Sequence, residues 1–323
     1  MQRRAFLGAV AKLGAVAAAT SAFGCTRAAG DPGVMRVGFL PNLSYAGVLC
    51  GFGSGRFARA CQGTQLETRI FRAGPRVAEA LLGRAIDIGI LGPIPIVSLH
   101  TRHPGTIHIL SGCASGGASL VVQPWVKSAR DLDGRHVATP QIGSTQDVSL
   151  RKWLRANGLE SKERGGTVLV DALASADVLA QMKRGEIAAG WLPEPWATRV
   201  VRELPGVRLV DERDLWPEHR FPAAIMVVRR EFVAARRDEV ERFATAFRLE
   251  VERARAEAAP AKQLVNAELK RLTTKALPAP LLDEAWTKVD LTTDPLPDAF
   301  AQIARDAHAV GYVPEVDCGA LFV

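Results

Sequence analysis

Short apolar runs alternate with longer amphipathic stretches through most of the chain. The apolar runs predict strands at residues 34–40, 66–71 and 86–91, and the stretches between them predict helices at 45–60 and 75–82. Strands that alternate with helices form βαβ units. This part of the chain therefore predicts a mostly parallel sheet with helices on its faces.

The same pattern returns 100 residues further along the chain. Strands and helices alternate again in segments 135–139, 144–157, 167–170, 175–184 and 187–192. The segment 83–95 is echoed at 185–195, which brings the Pro-x-Pro sequences that begin at Pro93 and Pro193 into register. Two α/β lobes of similar construction are the simplest explanation.

Two further apolar runs, at 119–124 and 223–228, are suited to side-by-side crossings between the lobes. From Glu231 onward the sequence is helical and charged, and these helices are expected to return to lobe one. Lobe one is therefore expected at residues 34–120 plus 223–323 and lobe two at 121–222, joined by a two-strand hinge. A ligand is expected in the cleft between them.

The first 24 residues are typical of an export signal. Arg3 and Arg4 precede a weakly hydrophobic, alanine-rich run, which resembles the twin-arginine type of signal. The run ends at Cys25 in a sequence that resembles a lipobox, so Cys25 is expected to be acylated, with ordinary cleavage near Ala28 as the alternative. No later apolar stretch is long enough to span a membrane, so anchoring is expected to rest on this lipid.

The composition argues against a nucleic-acid-binding protein. Of 323 residues, 48% are hydrophobic and 23% are charged, which is the balance of a globular protein. The net charge is +7, but Arg3, Arg4 and Lys12 contribute three of these charges, and no basic stripe with interleaved aromatic residues follows. We therefore expect no nucleic-acid partner.

Four cysteines follow Cys25. Export makes Cys50, Cys61, Cys113 and Cys318 eligible for disulfides, and pairing of Cys50 with Cys61 is the simplest arrangement. The alternative is that all four are small buried hydrophobic side chains.

The sequence around Gly143 carries the clearest local signal for a ligand. It reads as a strand end, a turn at Gly143 and a helix start at which Ser144 and Asp147 have capping-box spacing. The free N–H groups of that helix start, with Thr145 and Gln146 beside them, make a neutral socket for an anion. A capped helix without a ligand is the alternative.

Two further segments could approach the same ligand. Asn42, Ser44 and Tyr45 follow the first predicted strand and offer an amide, a hydroxyl and a phenol where a helix begins. The glycine-rich segment 115–119 lets the backbone approach a ligand closely. Helix capping and an ordinary turn are the alternatives.

Nothing in the sequence indicates a metal ion or a cofactor. Phosphate-binding glycine loops, zinc-ligand spacings and Cys-x-x-Cys pairs do not occur. The six histidines show no ligand spacing, and His100 and His103, which precede Pro104, predict a surface turn. We therefore expect no metal and no cofactor.

Four motifs in order resemble one known family. They read Gly-Phe-Leu-Pro-Asn at 38–42, Asp-Ile-Gly-Ile-Leu-Gly-Pro at 87–93, Ala-Thr-Pro-Gln-Ile-Gly-Ser-Thr-Gln-Asp at 138–147 and Trp-Leu-Pro-Glu-Pro-Trp-Ala at 191–197. Together they resemble the solute-binding proteins of ABC importers for nitrate, taurine and aliphatic sulfonates. The resemblance implies an α/β, type II periplasmic binding protein fold whose lobes close on a small anionic or zwitterionic solute. It also implies a periplasmic monomer that delivers the solute to a membrane permease and its ATPase.

By position, the resemblance implies a ligand-binding set on both walls of the cleft. The set consists of Asn42, Ser44, Tyr45, Gly92, Pro93, Ser115, Gly116, Gly117, Gly143, Ser144, Thr145, Gln146, Pro193, Glu194 and Trp196. Many relatives carry Asn at the position of Ser144, so the identity of the solute stays open. Glu194 either points away as a cap or hinge carboxylate, or receives the ammonium group of a zwitterion such as taurine.

An enzyme class is the main alternative. The aromatic sulfinate desulfinases resemble these binding proteins and place a cysteine nucleophile near the first loop, where Cys50 is the candidate. Cys50 lies in a predicted helix, with no neighbouring histidine in the sequence to lower its pKa. We therefore expect a binding protein rather than an enzyme.

Overall fold

The computed structural model describes residues 33–322, so the expected export signal and Cys25 lie outside the described residues. Within this range the strands are β1 (Val34–Phe39), β2 (Gln65–Ile70), β3 (Ile88–Leu91), β4 (Ile107–Gly116), β5 (Ala118–Val122), β6 (His136–Thr139), β7 (Leu169–Ala172), β8 (Ala189–Pro193), β9 (Val207–Asp211), β10 (Pro222–Arg229) and β11 (Val289–Leu291).

These strands form two sheets. Sheet one has the order β11-β4-β10-β3-β1-β2, and sheet two has the order β7-β6-β8-β5-β9. In sheet one β1 is parallel to β2 and β3, and in sheet two β6 is parallel to β7 and β8. Each sheet therefore gathers the carboxyl ends of three parallel strands at one edge.

Helices cover both sheets. They are α1 (Ala46–Gly53), α2 (Arg56–Ala60), α3 (Gly74–Leu82), α4 (Pro93–Arg102), α5 (Thr145–Ala156), α6 (Ser175–Lys183), α7 (Trp196–Glu203), α8 (Arg230–Ala235), α9 (Arg237–Ala256), α10 (Ala258–Thr273), α11 (Ala279–Trp286) and α12 (Pro297–Ala309). We call sheet one with α1–α4 and α8–α12 lobe one, and sheet two with α5–α7 lobe two.

The chain passes between the sheets at two neighbouring places. The first crossing joins β4 to β5 at Gly117, and the second enters β10 at Phe221. The crossings contact each other, because the Phe221 N–H donates to Ser115 Oγ at 3.2 Å and the Gly116 N–H donates to the Phe221 carbonyl at 3.4 Å.

The apolar runs expected to cross side by side instead lie in different sheets. Residues 118–122 pair with β8 and β9 in sheet two, and residues 222–229 pair with β3 and β4 in sheet one. Each crossing lies just before its apolar run. The run itself forms a strand, because an apolar strand buries more surface between two neighbouring strands than it would as a hinge segment.

The predicted helix at 45–60 is broken into shorter pieces. A 3-10 turn, Leu43–Tyr45, leads into α1, and α2 follows after a turn. The glycines of α1 serve packing, since a Cβ on Gly51 would stand 2.0 Å from the ring of Phe57. Phe57 is fully buried there, and its ring centroid lies 4.9 Å from that of Phe243 on α9.

The cysteines and one histidine differ from expectation. Cys50, Cys61, Cys113 and Cys318 are all buried and free, so the predicted disulfide is wrong and the small-hydrophobe alternative holds. Cys50 Sγ lies 3.7 Å from a carbonyl oxygen of α10 and therefore faces that helix. The predicted surface turn before Pro104 is also wrong for His100, which is buried in the last turn of α4 and contacts the Asp317 carbonyl at 3.1 Å.

Candidate functional site

A cleft of about 640 Å³ lies between the lobes, at the carboxyl ends of the parallel strands of both sheets. This is the edge at which open α/β sheets bind ligands, because the strand-to-helix turns meet there. Six such turns line the cleft among the described residues. Their lining residues are Asn42 and Ser44 after β1, Ala73 and Gly74 after β2, Gly92 after β3, Ser144 and Thr145 after β6, Ala174 and Ser175 after β7, and Trp196 after β8.

These six turns give the cleft its electrostatic character. Each one starts a helix, and the first N–H groups of a helix have no partner within it. The helix dipoles add partial positive charge at the same ends. The cleft is therefore suited to a negatively charged group.

The wall from lobe one begins at Asn42. Its Oδ1 accepts a hydrogen bond from the Ser44 N–H at 3.0 Å and so caps the 3-10 turn. Tyr45, on the same turn, is almost fully buried, and burial raises the pKa of its phenol. Tyr45 therefore stays protonated and can serve as a hydrogen-bond donor to a ligand.

The wall from lobe two is the start of α5. Ser144 Oγ accepts the Asp147 N–H at 3.2 Å, as the capping-box spacing predicts, and Asp147 Oδ2 accepts the Gly143 N–H at 3.0 Å. Burial raises the pKa of Asp147, and Arg151, whose Nε lies 3.0 Å from Oδ1, opposes that shift. The Asp147 carboxylate next to the cleft is thus held by Arg151 of α5 and by the turn before that helix.

Two charged side chains of the lining were missed by the sequence analysis. Arg72 follows the end of β2, and Asp177 stands in the first turn of α6. Within residues 33–322 no carboxylate lies within ion-pair distance of Arg72. The available signal was positional: Arg72 follows a strand parallel to β1, so it must reach the same sheet edge as Asn42.

Most of the expected ligand-binding set lines this one cleft. The lining members are Asn42, Ser44, Tyr45, Gly92, Gly116, Gly117, Ser144, Thr145, Gln146, Pro193 and Trp196. The two lobes touch near Gly92 and Thr145. Thr145 Oγ1 lies there 3.5 Å from the backbone nitrogen of Ile94, in the first turn of α4.

Four expected residues lie elsewhere. Pro93 is the buried first residue of α4, where a missing N–H costs nothing. Ser115 uses its hydroxyl to accept the Phe221 N–H at the crossing. Gly143 lines a separate small cavity against Tyr312, on the outer side of the turn. The fourth is Glu194.

The Glu194 carboxylate points away from the cleft. It is fully buried, its Oε2 accepts the Thr198 N–H at 3.1 Å, and its Oε1 lies 2.9 Å from Arg208 Nη2. Burial raises the pKa of Glu194, whereas Arg208 and Thr198 oppose this shift. Both carboxylate oxygens already have partners, so the predicted ligand contact is wrong and the cap alternative describes this side chain.

Cys50 does not line the cleft. Burial raises the pKa of its thiol to about 12, with Glu250 contributing in the same direction. A thiolate nucleophile is therefore disfavoured at this position.

Neither a metal cluster nor a membrane-spanning helix occurs among residues 33–322. No group of three or more His, Cys, Asp or Glu within residues 33–322 is arranged to hold a metal ion. None of the helices in that same range combines the length and apolar character needed to cross a bilayer.

The chain is similar in sequence to one protein family and to several known binding proteins. The model of the NMT1-like family matches residues 28–266, which is most of the chain. The taurine-binding periplasmic protein of Escherichia coli is 27% identical over 184 residues, which cover 56% of this chain and 55% of that protein. The chain thus spans about half the length of the curated relatives it matches.

Two solved structures share the architecture. The alkanesulfonate-binding protein SsuA from Xanthomonas axonopodis pv. citri, bound to MOPS, has a TM-score of 0.75 at 18% identity and covers 91% of this chain and 99% of its own. The periplasmic nitrate-binding protein NrtA from Synechocystis has a TM-score of 0.74 at 16% identity, with 90% and 84% covered. These similarities confirm the predicted α/β periplasmic binding protein fold.

Proposed function

The chain belongs to the NMT1-like family, and from this premise we propose that it is the solute-binding component of an ABC importer. Its cleft would capture a small anion of the sulfonate, taurine or nitrate class. The loaded protein would then deliver this solute to a membrane permease driven by its ATPase.

The convergence of six helix starts on one cleft carries this proposal. It supports an anionic solute because the lining supplies N–H groups, hydroxyls and one guanidinium, and a single carboxylate at Asp177, among the described residues. Hydroxyls of Ser44, Ser144 and Thr145 would donate to the oxygens of the anion. Arg72 would add the charge that the backbone cannot supply.

Calorimetry with a matched panel tests the charge of the solute. Taurine and ethanesulfonate have the same length and differ by the ammonium group, nitrate is a bare anion, and glycerol and choline serve as neutral and cationic controls. We expect at least one anion to bind with one-to-one stoichiometry. Binding of choline or glycerol alone would overturn the proposal.

A pair of arginine variants tests the site. Arg72→Gln removes the cation of the lining and is expected to weaken anion binding about fivefold, corresponding to roughly 1 kcal/mol for a partly exposed charge. Arg76→Gln is the matched control, because Arg76, in the first turn of α3, lies 2.8 Å from Glu79 and does not line the cleft. If wild type, Arg72→Gln and Arg76→Gln bind the anion with equal affinity, Arg72 does not belong to the binding site.

A zwitterionic solute would also need a carboxylate in the lining to receive its ammonium group. Since Glu194 is occupied, Asp177 is the carboxylate left to receive an ammonium group. Asp177→Asn should therefore weaken taurine more than ethanesulfonate. Equal losses for the two ligands would point to a simple anion as the natural solute.

The location and assembly of the protein are also part of the proposal. We infer export to the periplasm by the twin-arginine route, acylation of Cys25 and a monomer with lobes close to 34–120 plus 223–323 and 121–222. The signal-like sequence before Cys25 and the periplasmic relative support this inference. Mass spectrometry of membrane-extracted protein is expected to find a lipid on Cys25. An unmodified chain that begins near Ala29 would contradict it.

Binding without catalysis completes the proposal. Cys50 is the candidate nucleophile of the enzyme alternative, and its burial against α10 keeps it from the cleft. Cys50→Ala is therefore expected to leave the affinity for the solute unchanged. Release of sulfite from an aromatic sulfinate by the wild-type protein, lost in this variant, would favour the enzyme instead.

A further inference from the structure

A second cavity lies beside the cleft, on the other side of Thr145. It has a volume of about 150 Å³, and α5 forms one of its walls. Residues of both lobes enclose it. Ile94, Ile303 and Asp306 come from lobe one, and Val148, Trp153 and Trp216 come from lobe two with its crossing segment.

Most of the wall is apolar, and aromatic side chains contribute a large part of it. Trp153 and Trp216 supply two indole rings, and Ile94, Val148 and Ile303 supply aliphatic surface. Ile94, Val148 and Ile303 are themselves buried. Flat rings pack well between such groups, by offset-stacked or edge-to-face contacts.

The polar groups of the wall already have partners. Lys152 Nζ lies 2.6 Å from Asp306 Oδ2, and the Glu212 carboxylate accepts hydrogen bonds from Ser149 Oγ at 2.5 Å and Trp191 Nε1 at 2.7 Å. No buried side-chain nitrogen or oxygen that lines this cavity in the described structure lacks a hydrogen-bond partner. A water molecule in the cavity would find few groups to bind.

The volume fits one ring. An apolar protein cavity of about 150 Å³ stays dry and accepts benzene. Lys152 and Asp306 neutralise each other, so this pair presents no net charge to a ligand in the cavity. Leu215 and Ala156 are exposed at its edge, which gives a path for entry.

We propose that this cavity is a binding site for a neutral, single-ring aromatic molecule, separate from the cleft. Both oxygens of Glu212 are held by Ser149 and Trp191, so this acid leaves no free donor at the wall for an anionic ligand. Ile94 and Ile303 belong to lobe one, and Val148 and Trp216 line the cavity from lobe two with its crossing segment. A ring held between them therefore favours the arrangement in which the lobes touch.

Fluorine NMR of the full-length protein with fluorobenzene tests the site. We expect saturable broadening of the fluorobenzene signal, with one site per chain. Ala156→Trp places an indole at the exposed edge of the cavity and is expected to weaken binding at least tenfold. Ala235→Trp is the matched control, since Ala235 is likewise the exposed last residue of a helix and lies away from the cavity.

A second readout locates the ring without any variant. Intermolecular proton contacts from bound fluorobenzene to Trp153 and Trp216 are expected, whereas contacts to Tyr45 would place it in the cleft. Non-saturable broadening, contacts to Tyr45, or equal binding by wild type and Ala156→Trp would each overturn the proposal. Because Ala156 is exposed, far-UV circular dichroism of the variant is expected to match wild type.

Discussion

At the residue scale, two buried carboxylates of lobe two show how surroundings decide what a side chain does. Glu194 faces a guanidinium, since Arg208 Nη2 lies 2.9 Å from its Oε1. Glu212 has only neutral donors in contact, the indole of Trp191 and the hydroxyl of Ser149. Burial raises the pKa of both groups, but Glu194 has a cation in direct contact to oppose the shift.

Removal of the Glu194 charge is expected to destabilise the protein without changing ligand preference. Glu194→Gln leaves Arg208, whose side chain is only 14% exposed, without a counter-ion, which costs about 3 kcal/mol. Urea unfolding measures this loss. Taurine and ethanesulfonate should lose affinity equally, because the carboxylate faces away from the cleft. A selective loss of taurine would restore the ammonium-binding interpretation, and the double variant Glu194→Gln/Arg208→Gln should recover part of the stability.

Glu212 is expected to make stability depend on pH. Its pKa is raised from 4.5 to about 7 in the folded state, so the folded protein binds this proton more tightly than the unfolded chain does. The unfolding free energy therefore falls as pH rises from about 4.5 to 7, by roughly 3 kcal/mol for a shift of this size.

Urea unfolding at pH 5 and pH 8 measures that dependence. Glu212→Gln should show a smaller fall in unfolding free energy than wild type, because the amide does not titrate. Glu252→Gln, on the exposed side of α9, should behave like wild type. If Glu212→Gln keeps the full pH dependence, another group is responsible.

At the element scale, the sequence predicted the helix that starts at the Ser144 cap and missed the helix that starts at Pro93. The start of α5 followed from Ser144 and Asp147, and Ser144 Oγ accepts the Asp147 N–H there, whereas the Asp147 carboxylate accepts the Gly143 N–H instead of that of Ser144. The sequence analysis assigned no helix at Pro93-Ile94-Pro95, yet these residues begin α4. Proline lacks an N–H that the first helical turn does not need, so local sequence alone could not decide between a turn and a helix start.

The turn before α5 gives a test of local packing. Gly143 has φ +77°, and a Cβ there would lie 1.6 Å from Tyr312 Oη. Gly143→Ala is therefore expected to cost about 1–2 kcal/mol of backbone strain plus the displacement of Tyr312, measured by thermal unfolding. Gly158→Ala, at φ +74° with no atom within 4 Å, should show the strain alone. Partial rescue by Tyr312→Phe would support the contact, and equal costs at both glycines would exclude it.

At the scale of the whole molecule, the 100-residue echo indicated two α/β lobes, but it could not indicate which side chains converge. Arg72 was missed because its position depends on the pairing of β2 with β1, which is a long-range contact. For Glu194 the sequence left a ligand contact and a cap both open, because its partner Arg208 comes from β9, which is distant in the sequence. The positions of the site residues therefore depend on contacts between distant segments, whereas local sequence patterns determine the strands and helices that carry those residues.

The lobes are also joined by ion pairs, and one pair tests whether they hold the cleft shut. Lys152 on α5 lies 2.6 Å from Asp306 on α12, across the two lobes. Lys183 lies 2.8 Å from Glu203 within lobe two, and the two lysine side chains are similarly exposed, at 45% and 47%. Opening of the lobes would break the first pair and leave the second intact.

Lys152→Met is therefore expected to favour opening by about 0.2–1 kcal/mol, the usual contribution of a pair that water can reach, since the lysine side chain is 45% exposed although that of Asp306 is 10% exposed. Calorimetry at low salt should show about two- to fivefold weaker binding of the cleft solute, with a larger radius of gyration in small-angle X-ray scattering of the unloaded protein. The difference should shrink in high salt, which screens the pair in wild type as well. Lys183→Met should match wild type in both measurements, and equal effects of the two variants would mean that the pair across the lobes has no special role in closure.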